Sequence, residues 1–224
     1  SAGRGSARVS LFSRTRILDT GKIPQYNGFY NILSSGRLLC QEGLRDMTDF
    51  LSLAAEGGFS HCAPLCMAAA VPRREVRGMC AADRCGKWGR CWSCPPACGT
   101  LEQAASRIAR FDRGILVQST AKLADDFDYD GIQALSRTHA QRFAALARQM
   151  RLLCTRTLPL SAGPCLVCRR CTCPDRPCRY PSRRISAMEA YGLLVSDVCV
   201  RSGLAYNYGP GTMTYTSCIL YSEE

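Results

Sequence analysis

The chain has 224 residues, a formal net charge of +11, 46% hydrophobic and 21% charged residues, and 16 cysteines. That length buries a sizeable core as one domain or two small ones, and no apolar run is long enough for a membrane-crossing helix. The positive balance suggests an acidic partner such as nucleic acid. No aromatic RNA-recognition motif or zinc-finger spacing accompanies it, so nucleic acid is a minor reading. Cysteine at about 7% falls just short of a small disulfide scaffold, and a chain this long has little need of such staples. A reduced, cytoplasmic protein is expected.

Residues 1–45 carry Arg4, Arg8, Arg14 and Arg16 with several serines and no acid before Asp19, a composition that also fits a transit peptide. Amphipathic periodicity is poor before Met47 and good after it. The expected division is a peripheral N-terminal extension over 1–45 and one cysteine-rich domain over 46–224.

Thr48 and Asp49 can cap a short helix through Phe50, Leu51, Ala54 and Ala55, stopped by Gly57 and Gly58. A strand over Phe59–Met67 follows, with Pro64 pushing it to a sheet edge. Cys62 and Cys66 are read as buried thiols.

Cys80, Cys85, Cys91, Cys94 and Cys98 then sit among Gly86, Gly89, Pro95, Pro96 and Gly99, so the segment reads as a loop. A loop that long inside a domain needs something to hold it, and a metal centre would do so. Cys80, Cys85 and Cys94 are the principal candidates, with Cys98 ahead of Cys91 for a fourth position.

Thr100 with Gln103 reads as a capping box opening a helix whose apolar face is Leu101, Ala104, Ala105, Ile108 and Ala109. Gly114 closes it, and Ile115, Leu116 and Val117 form a buried strand, expected to run parallel to the strand before the loop through a right-handed crossover. The acidic segment 124–131 reads as a solvated turn, because it lacks the loop pattern of a calcium site. A long helix over Ile132–Leu153 places His139 on its apolar stripe, where a hydrogen-bonded core histidine outweighs a functional one.

The stretch Gly163–Pro181, GPCLVCRRCTCPDRPCRYP, most needs a ligand. Cys165, Cys168 and Cys171 are each separated by two residues, which lets successive sulfurs converge on one centre. C-x2-C-x2-C followed by a more distant cysteine, here Cys178, is an iron-sulfur ligand pattern. Tetrahedral zinc more often uses two separate C-x2-C pairs. Pro174 and Pro181 supply stiff corners. Arg169, Arg170, Arg176, Arg179, Arg183 and Arg184 crowd this stretch and can offset anionic clusters. Further on, Ser186 and Glu189 read as a capping box for a helix through Val198 ended by Gly203, and the tail after Gly209-Pro210-Gly211 reads as a terminal hairpin.

No phosphate loop, dinucleotide fingerprint, H-E-x-x-H or G-x-S-x-G motif occurs, and His61 and His139 are the only histidines. The chemistry therefore rests on the thiols. VRGMCAADRCGKWGRCWSCPPACG, PLSAGPCLVCRRCTCPDRPCRYP, RISAMEAYGLLV and YNYGPGTMTYTSCIL resemble, over about Thr48–Tyr221, the family catalogued as domain of unknown function 2284, predicted metal-binding proteins. The resemblance implies metal binding through Cys80, Cys85, Cys94, Cys165, Cys168, Cys171 and Cys178. It marks Cys91 and Cys173 as local departures and does not cover residues 1–45.

The expected fold is α+β, a small mixed sheet with packed helices and two cysteine-rich metal-binding loops on one side. The expected function is an iron-sulfur redox or electron-transfer protein with two 4Fe-4S clusters and a redox partner protein. One cluster falls to Cys80, Cys85, Cys94 and Cys98, the other to Cys165, Cys168, Cys171 and Cys178. Without Cys98 the first would keep an open iron, and with it the scope for reductive or Lewis-acid catalysis. The alternative is a zinc-stabilised interaction module.

Overall fold

The structure, a computed structural model, describes residues 49–125 and 127–222. The expected extension over 1–45 and the capping role of Thr48 lie outside the described residues.

The fold is α+β, built on a five-stranded mixed sheet in the order β1-β2-β5-β3-β4. The strands are β1 (His61–Pro64), β2 (Arg113–Lys122), β3 (Arg156–Ser161), β4 (Ser186–Ala187) and β5 (Thr212–Ser222). The helices are α1 (residues 49–56), α2 (Arg74–Ala81), α3 (Leu101–Ile108), α4 (Tyr129–Leu153) and α5 (Val195–Arg201). β2 and β5 form the spine, paired antiparallel from Arg113↔Tyr221 to Lys122↔Thr212.

Side chains along β2 and β5 alternate between two cores, as a sheet covered on both faces requires. Ile115, Val117, Ile219 and Tyr221 pack with Phe143, Leu146 and Met150 of α4 and with Phe50 and Ala54 of α1. Leu116, Cys218 and Leu220 pack on the other face with Ile108 of α3, Val198 of α5 and the segment holding Met188, Tyr191 and Leu193. Ile115, Leu116 and Val117 are wholly buried, each side chain contributing about 1.5–3 kcal/mol by leaving water.

Three expectations are corrected. β1 pairs with β2 antiparallel, so there is no parallel crossover between them. The intervening chain returns through α2, the cysteine-rich loop and α3 and brings β2 in along the edge strand in the opposite sense. The tail is not a hairpin but one long strand inserted between β2 and β3; the Gly209-Pro210-Gly211 turn redirects the chain into it. Ser186 and Glu189 do not cap a helix. Ser186 belongs to the short strand β4, parallel to β3, Glu189 opens a single 3-10 turn, and α5 starts only at Val195. The helical spacing of apolar residues there reflects a chain buried on several sides rather than one helix face.

Other readings hold. Pro64 ends the edge strand. The Thr100 hydroxyl accepts the Gln103 N–H at 3.2 Å, and the Gln103 side chain accepts the Thr100 N–H at 3.1 Å, a complete capping box. The long helix α4 is present but starts earlier than expected, at Tyr129 inside the acidic segment, where Asp128 caps it by accepting the Gly131 N–H at 2.8 Å. His139 is buried between two hydroxyls, Ser119 at 2.9 Å and Ser217 at 2.7 Å. One further expectation is corrected: Cys62 and Cys66 are half-buried rather than buried.

Candidate metal centre

Two irregular segments carry the thiols: the turns that follow α2 up to α3, and the chain between β3 and β4. They are tied to each other. The buried Ser93 hydroxyl accepts the Cys165 N–H at 3.0 Å, the Trp92 indole donates to the Arg176 carbonyl at 3.0 Å, and the Cys173 thiol points to the Gly89 carbonyl at 3.5 Å. The second segment also closes on itself, Thr172 donating to the Pro177 carbonyl at 2.9 Å and Arg179 to the Arg170 carbonyl at 3.1 Å.

The thiols fall into two groups. Cys80, at the end of α2, lines a cavity with Cys85 and Cys94; its walls include Val76, Trp88 and Pro95, together with Glu189. Cys165, Cys168, Cys171 and Cys178 line a second, smaller cavity with Cys91, Tyr180 and Arg184. Seven of the eight expected ligands thus lie on two cavity walls. The eighth, Cys98, is off the first wall, buried against Ala187 and Ala190 with its thiol 3.7 Å from the Ala190 carbonyl. Cys173 is off both.

Cys91 and Cys94 join the groups, one on each cavity, with the Ser93 hydroxyl 3.1 Å from the Cys91 sulfur and 3.8 Å from that of Cys94. The Cys94 thiol and Ser93 draw Cys91 down to about 5, toward thiolate, while the same pairing and burial drive Cys94 up. Burial is the largest influence on Cys80, Cys98 and Cys165, and it raises all three. The Arg77 guanidinium opposes it at Cys80 and Cys98, and Arg184 adds its charge at Cys98.

Sequence ranks Cys91 behind Cys98, although Cys91-x-x-Cys94 is itself a C-x2-C pair; two spacings compete for Cys94, and only the fold separates them. Glu189 read as a helix cap, and nothing local in the sequence ties it to thiols more than ninety positions away. Of the clustered arginines, Arg184 faces the second cavity, while Arg169, Arg170, Arg176 and Arg179 are exposed.

The donor chemistry fits a thiophilic metal. The described cysteines are all free thiols, and at Cys80, Cys98 and Cys165 burial favours the neutral form unless positive charge arrives, which a bound metal supplies. Among the described residues no three His, Cys, Asp or Glu side chains close on one point as the donors of a single ion would.

The comparisons accord with this. A family model described as predicted metal-binding protein, domain of unknown function 2284, matches residues 65–221. The chain belongs to this family. Both cysteine-lined cavities fall inside the matched span, and metal binding is the property that the family's description predicts. No curated protein and no solved structure matches the chain. No helix among the described residues is long and apolar enough to cross a membrane.

Proposed function

We propose that the protein is an iron-sulfur electron-transfer protein with two neighbouring centres. Cys165, Cys168, Cys171 and Cys178 would hold one, and Cys80, Cys85 and Cys94 with a fourth donor the other. The observation that carries this reading is the junction at Cys91-Trp92-Ser93-Cys94, where one serine hydroxyl touches a thiol on the wall of each cavity. The Cys91 and Cys94 sulfurs lie 3.1 Å and 3.8 Å from the same hydroxyl, so the centres would lie within a short electron hop.

The spacing of the second thiol set supports a cluster over a lone zinc ion: Cys165, Cys168 and Cys171 follow each other as C-x2-C-x2-C with Cys178 further on, an iron-sulfur ligand pattern, whereas tetrahedral zinc more often uses two separate C-x2-C pairs. When bound, such a cluster supplies one-electron transfer at a potential set by burial and by hydrogen bonds to its sulfurs.

The chain's own residues would tune that chemistry. Ser93 offers its hydroxyl to sulfur on both sides. Arg77 and Arg184 bring fixed positive charge to the thiols, and Trp88, Pro95 and Val76 give the first cavity apolar walls. Arg169, Arg170 and Arg179, grouped with Cys168 around a surface hollow, would steer an acidic redox partner to the second centre. Free cysteines throughout the described chain suit a reducing, cytoplasmic setting.

The test is anaerobic purification with iron and acid-labile sulfide counted for the native chain and for C85A and C168A. Each variant is expected to lose about half of both, with the other centre kept. Counts near zero in the native chain, or one equivalent of zinc per site, would overturn the reading.

A further inference from the structure

Glu189 is out of place for a structural residue. It sits in a 3-10 turn (Glu189–Tyr191) on the wall of the first cavity, beside Cys80, whose thiol lies 3.7 Å from the Glu189 carbonyl oxygen. Its carboxylate Oε2 is buried and has no hydrogen-bond partner. Lone buried carboxylate oxygens are costly, and natural proteins keep them for a reason such as an unfilled ligand position. No cation among the described residues is ion-paired with it. The cavity it shares with Cys80, Cys85 and Cys94 has three thiols where a four-coordinate centre takes four donors, and Cys98, the obvious fourth, turns its sulfur to the Ala190 carbonyl instead.

We infer that Glu189 supplies the fourth donor of the first centre, so that this centre is held by three thiolates and one carboxylate oxygen, with Cys98 a packing residue. The inference rests on the iron-sulfur reading above. It makes the two centres different in kind. A hard oxygen donor binds iron less firmly than a thiolate, so the first centre has one position that an incoming ligand can take. Space for such a ligand is on the same wall, between the apolar surface of Val76, Met79 and Trp88 and the cations Arg84 and Lys87. That combination suits a small anionic molecule with an apolar body.

The experiment uses the anaerobically reconstituted full chain, E189Q and C98A, with iron content and Mössbauer spectra of each. The native chain is expected to show one iron site with parameters distinct from thiolate-bound iron. E189Q keeps the side-chain shape, and it should lose that site and up to about half of the iron, while C98A retains both. A native spectrum with only thiolate-type iron overturns the inference even if neither variant folds. Loss of the first centre in C98A, alone or together with E189Q, overturns it as well. Absence of iron from the native chain would instead remove the iron-sulfur reading itself, a different result from either.

Discussion

The Ser93 hydroxyl accepts the backbone N–H of Cys165 at 3.0 Å, so a residue flanked by thiols of the first cysteine-rich segment receives the first thiol-bearing residue of the second. This bond ties together segments that are 72 positions apart in the chain. Ser93 is wholly buried, and water is poorly placed to substitute for it.

S93A removes that acceptor and both sulfur contacts. The Cys165 N–H loses its partner, at a cost of about 1–2 kcal/mol, and the two segments lose a shared anchor. Urea denaturation is expected to show a lowered midpoint, and metal added to the variant should be lost to a chelator faster than from the native chain. Unchanged stability and release would mean that the segments are held by other contacts.

His139 gives the protein an acid-sensitive core. Burial, with a smaller effect from Arg142, lowers its pKa from 6.5 to about 4. Between those values the unfolded chain binds more protons than the folded one. Its contribution is therefore fully present above pH 6.5 and falls away as the pH drops toward 4, by at most about 3 kcal/mol. Denaturation midpoints across this range should drop in the native chain and drop less in H139Q. Equal slopes in the two would contradict the assignment.

Gly192 permits a close approach that no other residue can make. Its φ is +78°, its carbonyl accepts the Arg73 N–H at 2.8 Å, and a Cβ there would fall 2.6 Å from Leu101 and 3.0 Å from the Arg73 nitrogen. G192A should destabilise the fold by about 1–3 kcal/mol, read as a lower midpoint in urea. No change would mean that the start of α2 shifts freely.

T100A tests the capping box in isolation. Loss of the hydroxyl that accepts the Gln103 N–H should cost about 1 kcal/mol. T100S, which keeps the hydroxyl, should stay near the native midpoint. A T100A midpoint equal to the native one would assign α3 wholly to packing through Ala104 and Ile108.

Local chemistry was legible along the chain and long-range pairing was not. The capping box at Thr100, the apolar stripe of α4 and the edge position of Pro64 depend on near neighbours, and each is present. The antiparallel sense of β1 and β2 depends on how the chain returns through α2 and α3, which residue spacing does not encode. Thr212–Ser222 alternates as a strand should, but only the sheet decides that its partners are β2 and β3 rather than itself. At the candidate centres, C-x2-C spacing picked out thiols that do line common cavities, because that spacing is itself a local geometry. The places of Glu189 and Ser93 beside the thiols are not encoded locally, because that relation is made in space.

The central claim is that these thiols hold iron-sulfur clusters. It is tested most directly by the visible spectrum of anaerobically purified full-length protein, with iron and zinc quantified on the same sample. Broad absorption near roughly 400 nm that bleaches with dithionite, together with iron in excess of zinc, is the predicted result. A colourless protein with stoichiometric zinc would contradict it and make both cysteine-lined sites structural.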